Sequence, residues 1–171
     1  FEEKIPVDGR MSLVERTCTV DVAVRWVKGF EPIVTSFVNT IPTPDGGTHE
    51  QGLRAALVKG LRAFADLVGQ KKAKDIAPED VVTGSEAMLS VFIRNPQFQS
   101  QTKDRLTSPE AARLVENAVR DHFDHFLADN MERGKAMLGF ILEKVEDRLK
   151  RKAEREVKRK TATSGKKVRL P

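Results

Sequence analysis

The sequence predicts an α+β fold: a mostly antiparallel sheet, covered by helices on one face and followed by a projecting C-terminal helix. Three observations carry this. Residues 17–27 and 87–94 alternate apolar and polar side chains with period two, as a strand with one buried face does. Residues 48–69 and 109–128 repeat apolar residues at three- and four-residue spacing, the stripe of a core-facing helix. The order strands, helix, strand, helices departs from the regular alternation of a parallel α/β sheet.

Each element has its own justification. An early strand lies within residues 1–14, where Asp8-Gly9 supplies a turn signal. In residues 17–27, Cys18, Val20, Val22, Val24 and Trp26 share one face, and Thr19, Asp21, Ala23 and Arg25 the other. Gly29 and Pro32 mark a turn, and residues 33–41, rich in β-branched side chains, are expected as the antiparallel neighbour. Pro42 to Gly47 fits neither strand nor helix, because its prolines lack backbone donors and Asp45-Gly46-Gly47 permits positive φ. Thr48 and Gln51 have the spacing of a capping box for a helix whose stripe is Leu53, Ala56, Leu57, Gly60, Leu61, Phe64 and Val68, ending near Gly69. Pro78-Glu79-Asp80 opens a short helical turn. In residues 87–94, Leu89, Val91 and Ile93 alternate against Ser90, Phe92 and Arg94, and Asn95-Pro96 ends the strand. If this strand runs parallel to an earlier one, helix 48–69 is the crossover. A polar loop, 97–105, leads to Ser108 as cap and Pro109 at the first position of a helix running to about 128. The last helix starts near Glu132, carries Leu138, Ile141, Leu142, Val145 and Leu149, and becomes almost wholly charged through Lys160; residues 161–167 read as a linker.

Composition bounds the function. The 171 residues suffice for one large or two small domains, and 39% hydrophobic content can fill a core. No apolar run reaches the roughly 18 residues a membrane span needs. One cysteine cannot build a disulfide framework or a multi-thiolate zinc site, and it points to a reducing, cytoplasmic setting. There is no tyrosine, hence no phenolic nucleophile. The start at Phe1 and the end at Pro171 read as a piece of something longer. Twelve basic and four acidic residues lie between Lys144 and Pro171, a net of +8; the chain totals +5, so the remainder is about −3. The basic character is a C-terminal feature.

Few residues suggest chemistry. His122 and His125 stand three apart on one helix, a possible metal pair, but no third ligand sits at ligand spacing and a solvated helix face is preferred; no metal site is expected. His49, at a helix start among polar residues, reads as a capping or surface residue. Cys18 reads as an inert core thiol. Gly46-Gly47 is by itself a turn signal. In the loop after strand 87–94, Gln101 and Lys103 place a carboxamide and an ammonium two residues apart, which on extended backbone would point the same way and offer donors to a phosphate. Taken alone, a solvated loop is the simpler account, and the basic helix is likewise explained by solvation.

Two longer blocks change this. Asn39-Thr40, Gly46-Gly47-Thr48-His49 and Gly52-Leu53-Arg54 resemble the signature of the B subunits of bacterial type IIA topoisomerases. Asn95-Pro96-Gln97-Phe98, continued by Gln101-Thr102-Lys103-Asp104-Arg105-Leu106, resembles their QTK loop. Both lie in the family's order and spacing. The stretch Leu89-Ser-Val-Phe-Ile-Arg94 and the ends Arg159-Lys-Thr-Ala-Thr163 and Val168-Arg-Leu-Pro171 look more like the topoisomerase IV branch than the gyrase branch.

The resemblance implies a transducer domain (residues 1–130) with a fold like ribosomal protein S5 domain 2 and a left-handed βαβ crossover, then a long helix (131–160) leading toward a TOPRIM domain, then a basic linker (161–171). It implies that Gln101 and Lys103 contact the ATP γ-phosphate, with Lys103 acting catalytically, and that Arg54 lines a DNA-holding cavity; residue spacing alone makes Arg54 a surface helix residue. Further implications are ATP held mainly by an N-terminal domain outside this chain, Mg2+ in the full-length protein only, and duplex DNA, the A subunit and a second copy of the B subunit as partners. The expected activity is ATP-driven strand passage, with relaxation and decatenation of DNA; this section alone is expected to be monomeric and inactive. Two other readings stand beside it: the gyrase branch, and a stand-alone S5-like nucleic-acid-binding module using the basic tail.

Overall fold

The computed structural model describes residues 2–7, 10–15, 18–29 and 31–164, with side chains for 18–29 and 31–160. β1 (Glu2–Val7) and β2 (Arg10–Glu15) pair antiparallel, Val7 with Arg10 and Glu2 with Glu15; the expected Asp8-Gly9 turn lies outside the described residues.

The main sheet has four strands, β3 (Thr19–Trp26), β4 (Ile33–Val38), β5 (Ile41–Pro42) and β6 (Ser85–Phe92), in the order β3-β6-β4-β5. β6 is antiparallel to β3 and parallel to β4. The register builds three inward rows across the three long strands: Val24–Ala87–Val34, Val22–Leu89–Ser36 and Val20–Val91–Val38. The inner side chains of β6 are almost completely enclosed, whereas Val22 on β3 is 40% exposed. That contrast is the difference between a central and an edge strand.

This order corrects one expectation. β3 and β4 are not neighbours, because β6 lies between them. The link between them runs from residue 27 to 32 and is no tight hairpin; six residues reach about 20 Å, ample to step over one strand at about 4.8 Å spacing. β6 takes the centre, where both of its edges are paired. The segment 33–41 also breaks in two. Asn39 (φ 49) and Thr40 (φ 68) form a two-residue turn in which both residues are left-handed, and Pro42 pairs with Phe37 on the short outer strand, an edge position that tolerates a missing donor.

The parallel pair β4/β6 needs a crossover, and α1 (Thr48–Leu67) provides it. Leu53, Ala56, Leu57, Gly60, Leu61 and Phe64 are buried and Val68 half-buried, as the stripe predicts. The capping box does not form. Gly47 holds the N-cap position, Thr48 is already helical, and its hydroxyl donates to the Ser108 carbonyl at 2.7 Å. A 3-10 turn (Lys71–Asp75) and α2 (Pro78–Val82) lead into β6. α3 (Pro109–Asp129) packs along α1, burying Ala111, Val115, Val119, Phe123 and Leu127. Ser108 precedes it, but its Oγ accepts from the Gln97 N–H (2.8 Å) instead of capping the helix.

α4 (Met131–Ser164) is one helix of 34 residues, about 50 Å long. It continues through the start of the expected linker; residues 165–171 lie outside the described residues. Its first half belongs to the body, where Leu138, Ile141 and Val145 are buried with α1, α3 and the sheet in one core. Leu149 is 41% exposed, and every described side chain after it is exposed. Among the described residues no helix is long and apolar enough to cross a membrane.

Candidate functional site

The two sequence blocks meet in space. The loop from Gln97 to Thr107 is a narrow hairpin whose base is closed by Thr107 N–H to the Gln97 carbonyl (2.8 Å) and Gln99 N–H to the Arg105 carbonyl (3.0 Å). Its inner anchor is Leu106, 1% exposed. Leu106 is strapped to the turn before α1: its N–H donates to the Gly46 carbonyl (3.0 Å), its carbonyl accepts from Thr48 N–H (3.1 Å), and Asp45 N–H donates to the Asp104 carbonyl (3.0 Å). Gly47 lies between these bonds with φ 141, and a Cβ there would stand 2.3 Å from the Leu106 oxygen. The Gly46-Gly47 pair is therefore more than a turn. It lets one backbone lie against another.

The tip of this hairpin holds the sequence candidates. Gln101, Thr102 and Lys103 are all exposed. The tip is a tight turn, closed by Lys103 N–H to the Ser100 carbonyl (3.1 Å) and a 2.5 Å contact between the Ser100 and Thr102 hydroxyls. The extended-backbone geometry expected for Gln101 and Lys103 is thus replaced by a turn with Lys103 left-handed at φ 62, a conformation that costs a non-glycine residue about 1–2 kcal/mol. The Lys103 ammonium lies 6.0 Å from the centre of the Phe98 ring, and no carboxylate among the described residues pairs with it. An exposed ammonium and an exposed carboxamide on a braced tip form a donor set suited to phosphate oxygens.

Behind the tip lies a buried polar chain that the sequence did not disclose. Thr43 Oγ1 lies 3.1 Å from His49 Nε2 and 2.7 Å from Ser36 Oγ; Ser36 Oγ is 2.8 Å from Glu50 Oε1; Arg54 Nη2 donates to Glu50 Oε2 at 3.0 Å. His49 is fully buried, which corrects the surface reading; burial depresses its pKa from 6.5 to about 4, so the ring is neutral at pH 7. Its Nδ1 has no partner among the described residues. Arg54 is half-buried, with a side chain 38% exposed and one face committed to Glu50. The spacing of Glu50 and Arg54, one helical turn, was the available signal. Asn39 explains the start of the first block: its carboxamide donates to the Ile93 carbonyl (2.9 Å) and accepts from Ile93 N–H (3.0 Å), adding one rung to the β4/β6 ladder beyond the strand.

The remaining candidates stay apart. His122 and His125 are exposed on α3, where His125 Nδ1–H donates to the Asp121 carbonyl at 2.6 Å. Among the described residues no group of three or more His, Cys, Asp or Glu side chains is placed to hold a metal. Cys18 is half-buried, and burial pushes its thiol pKa up. Lys144, Arg148, Arg151, Lys152 and Arg155 of α4 line an open groove of about 500 Å³ against α2.

The profile of the DNA gyrase B family matches residues 1–157. The chain is 50% identical over 153 residues to the B subunit of DNA topoisomerase 4 from Bartonella bacilliformis, covering 90% of this chain and 22% of that protein. It is 46% identical over 167 residues to its counterpart from Caulobacter vibrioides, covering 95% and 24%. The chain thus spans about a quarter of the length of these relatives. Among solved structures, the 43K ATPase domain of Thermus thermophilus gyrase B superposes with a TM-score of 0.72 at 28% identity, covering 84% of this chain and 39% of that one. The topoisomerase IV ATP-binding domain of Francisella tularensis gives 0.71 at 26%, covering 80% and 39%.

Proposed function

The chain belongs to the DNA gyrase B family, and from that premise we propose that it is the transducer section of the B subunit of a type II topoisomerase, coupling nucleotide state to the movement of DNA. In this reading residues 1–130 form the transducer body, 131–160 the arm toward a TOPRIM domain and 161–171 a basic linker. The observation that carries it is the braced hairpin: Gln101 and Lys103 stand exposed on a tip whose base is hydrogen-bonded to the start of α1.

ATP, when bound, supplies the transferable phosphoryl group, and most of its contacts fall to residues outside this chain. Lys103 offers a charge-assisted donor to the terminal phosphate oxygens, and Gln101 a neutral one. A cation placed where negative charge grows lowers the barrier only if it is fixed beforehand. The strap between Leu106 and Gly46–Thr48 fixes the base of the hairpin that carries Lys103, and the Phe98 ring lies 6.0 Å from the ammonium. The same contacts give a switch. Donors that bind the terminal phosphate favour one orientation of this section, and their loss after hydrolysis releases it. Arg54 presents cationic surface to DNA phosphates. The described carboxylates form no three-ligand cluster, so none is assigned to Mg2+. The A subunit, a second copy of the B subunit and duplex DNA complete the assembly in this reading. The topoisomerase 4 names of the relatives at 46–50% identity favour decatenation over supercoiling.

The test is Lys103→Ala in the full-length protein. Loss of one preorganised donor lowers ATP hydrolysis about 100-fold, while DNA binding, read by gel shift, stays within twofold of wild type. Hydrolysis at the wild-type rate refutes the role. Supercoiling and decatenation assays of the enzyme reassembled with its A subunit separate the two branches.

A further inference from the structure

We infer that Glu50 is a positioning residue that fixes Arg54 and ties it to the hairpin bearing Gln101 and Lys103, so that the phosphate-facing and DNA-facing cations share one connected frame. The inference rests on the reading above. Glu50 stands in the first turn of α1 and is 7% exposed. One carboxylate oxygen accepts from Ser36 of β4 (2.8 Å) and the other from Arg54 (3.0 Å). The carboxylate also closes over the turn before α1. A Cβ on Gly46, which has φ 64, would lie 2.7 Å from the Glu50 carboxyl carbon, so only glycine admits this approach. The Gly46 carbonyl in turn holds Leu106 of the hairpin. From the hairpin base to the Arg54 guanidinium there are thus one backbone hydrogen bond, one van der Waals contact and one ion pair.

Stability alone is a weak reason for this arrangement. An enclosed ion pair does no better than apolar groups of the same volume, because desolvation offsets the attraction. What the pair does well is hold a long side chain in one direction. The Arg54 side chain is 38% exposed while that of Glu50 is 10% exposed, so the carboxylate is sealed and the guanidinium keeps donors for a second anion. A displacement of the hairpin moves Gly46, and Gly46 bears directly on the carboxylate that aims Arg54. Thermodynamic reciprocity then requires DNA at Arg54 to be felt at the hairpin.

The experiment uses the full-length protein assembled with its A partner, and reads ATP hydrolysis with and without duplex DNA. Wild type is compared with Glu50→Gln, Arg54→Ala, Lys103→Ala and the double variant Glu50→Gln/Arg54→Ala, and thermal melts check folding. Should Glu50→Gln fold poorly, Glu50→Leu fills the same space and makes the same prediction. The ratio of DNA-stimulated to basal rate is expected to fall at least fivefold in Arg54→Ala and in Glu50→Gln, with no further fall in the double variant. Wild-type stimulation in the Glu50 variants, with stimulation lost in Arg54→Ala, overturns the inference and leaves the proposed function standing. Additive losses in the double variant also overturn it, since a residue with only a structural role acts independently of Arg54. Full stimulation in Arg54→Ala, or undiminished hydrolysis in Lys103→Ala, overturns the proposed function itself.

Discussion

His49 is fully enclosed at the start of α1, and burial holds its pKa at about 4. The native ring therefore stays neutral down to about pH 4, whereas the unfolded chain takes up a proton below its ordinary 6.5. The stabilising contribution is complete above pH 6.5 and is lost as pH falls toward 4, at about 1.4 kcal/mol per unit. Between pH 6.5 and 5 this amounts to about 2 kcal/mol. Urea midpoints at both pH values, for wild type and His49→Gln, check it: the wild type should lose about 2 kcal/mol more than the variant, and equal losses would show that His49 does not titrate this way. At this scale the sequence was legible where a polar loop implies exposure, as for Gln101 and Lys103, both exposed. It was not legible where a role depends on enclosure. Nothing local to Ser36, Thr43 and His49 says that the turn at Asn39-Thr40 brings them together, and the one-turn spacing of Glu50 and Arg54 does not by itself say that the carboxylate is enclosed.

The pairing of α1 with α3 sets the shape of the layer above the sheet, and at Gly52 the two backbones lie too close for a side chain. A Cβ at Gly52 would meet the Ala112 carbonyl oxygen at 2.3 Å, whereas one at Gly139 of α4 meets nothing within 4 Å. Alanine favours a helix interior over glycine by about 1 kcal/mol. Gly139→Ala should therefore stabilise the chain by about 1 kcal/mol. Gly52→Ala has the same gain but forces two backbones apart, and a net destabilisation of about 1–3 kcal/mol is expected. Denaturant unfolding of both variants reads the signs, and a stabilising Gly52→Ala would contradict the close approach. The helices were readable because a helical stripe declares its own buried face. The sheet order was not, because β3 and β6 carry the same period-two signal. Which strand takes the centre is decided by the long reach of the 27–32 link and by the parallel crossover through α1.

Across the whole molecule, the question is how a displacement in the body reaches the exposed end of α4. A helix of 34 residues acts as a lever only if its root is fixed. Leu138, Ile141 and Val145 fix it by packing, and Arg148 fixes it by charge at the point where the helix leaves the core. Arg148 donates from Nε (2.8 Å) and Nη2 (3.0 Å) to the Asp80 carboxylate and from Nη2 to the Asp75 carbonyl (2.7 Å); the bonds to Asp80 raise the pKa of the Arg148 guanidinium. Asp80 is 2% exposed and also accepts from the Ala77 N–H at 2.7 Å, so α2 and the 3-10 turn are fastened to α4 through one guanidinium. Replacing Arg148 with Leu keeps the apolar stem but leaves a buried carboxylate without its counter-charge, which costs about 3–5 kcal/mol. The loss should also be local. Amide hydrogen exchange in α4 beyond Val145 is expected to quicken at least tenfold, while the segment around Leu138 and Ile141 stays protected by the core. Exchange that is unchanged beyond Val145 would mean that packing alone roots the lever. Exchange that quickens along all of α4 would mean that the ion pair holds the helix to the body, and that the apolar contacts only follow.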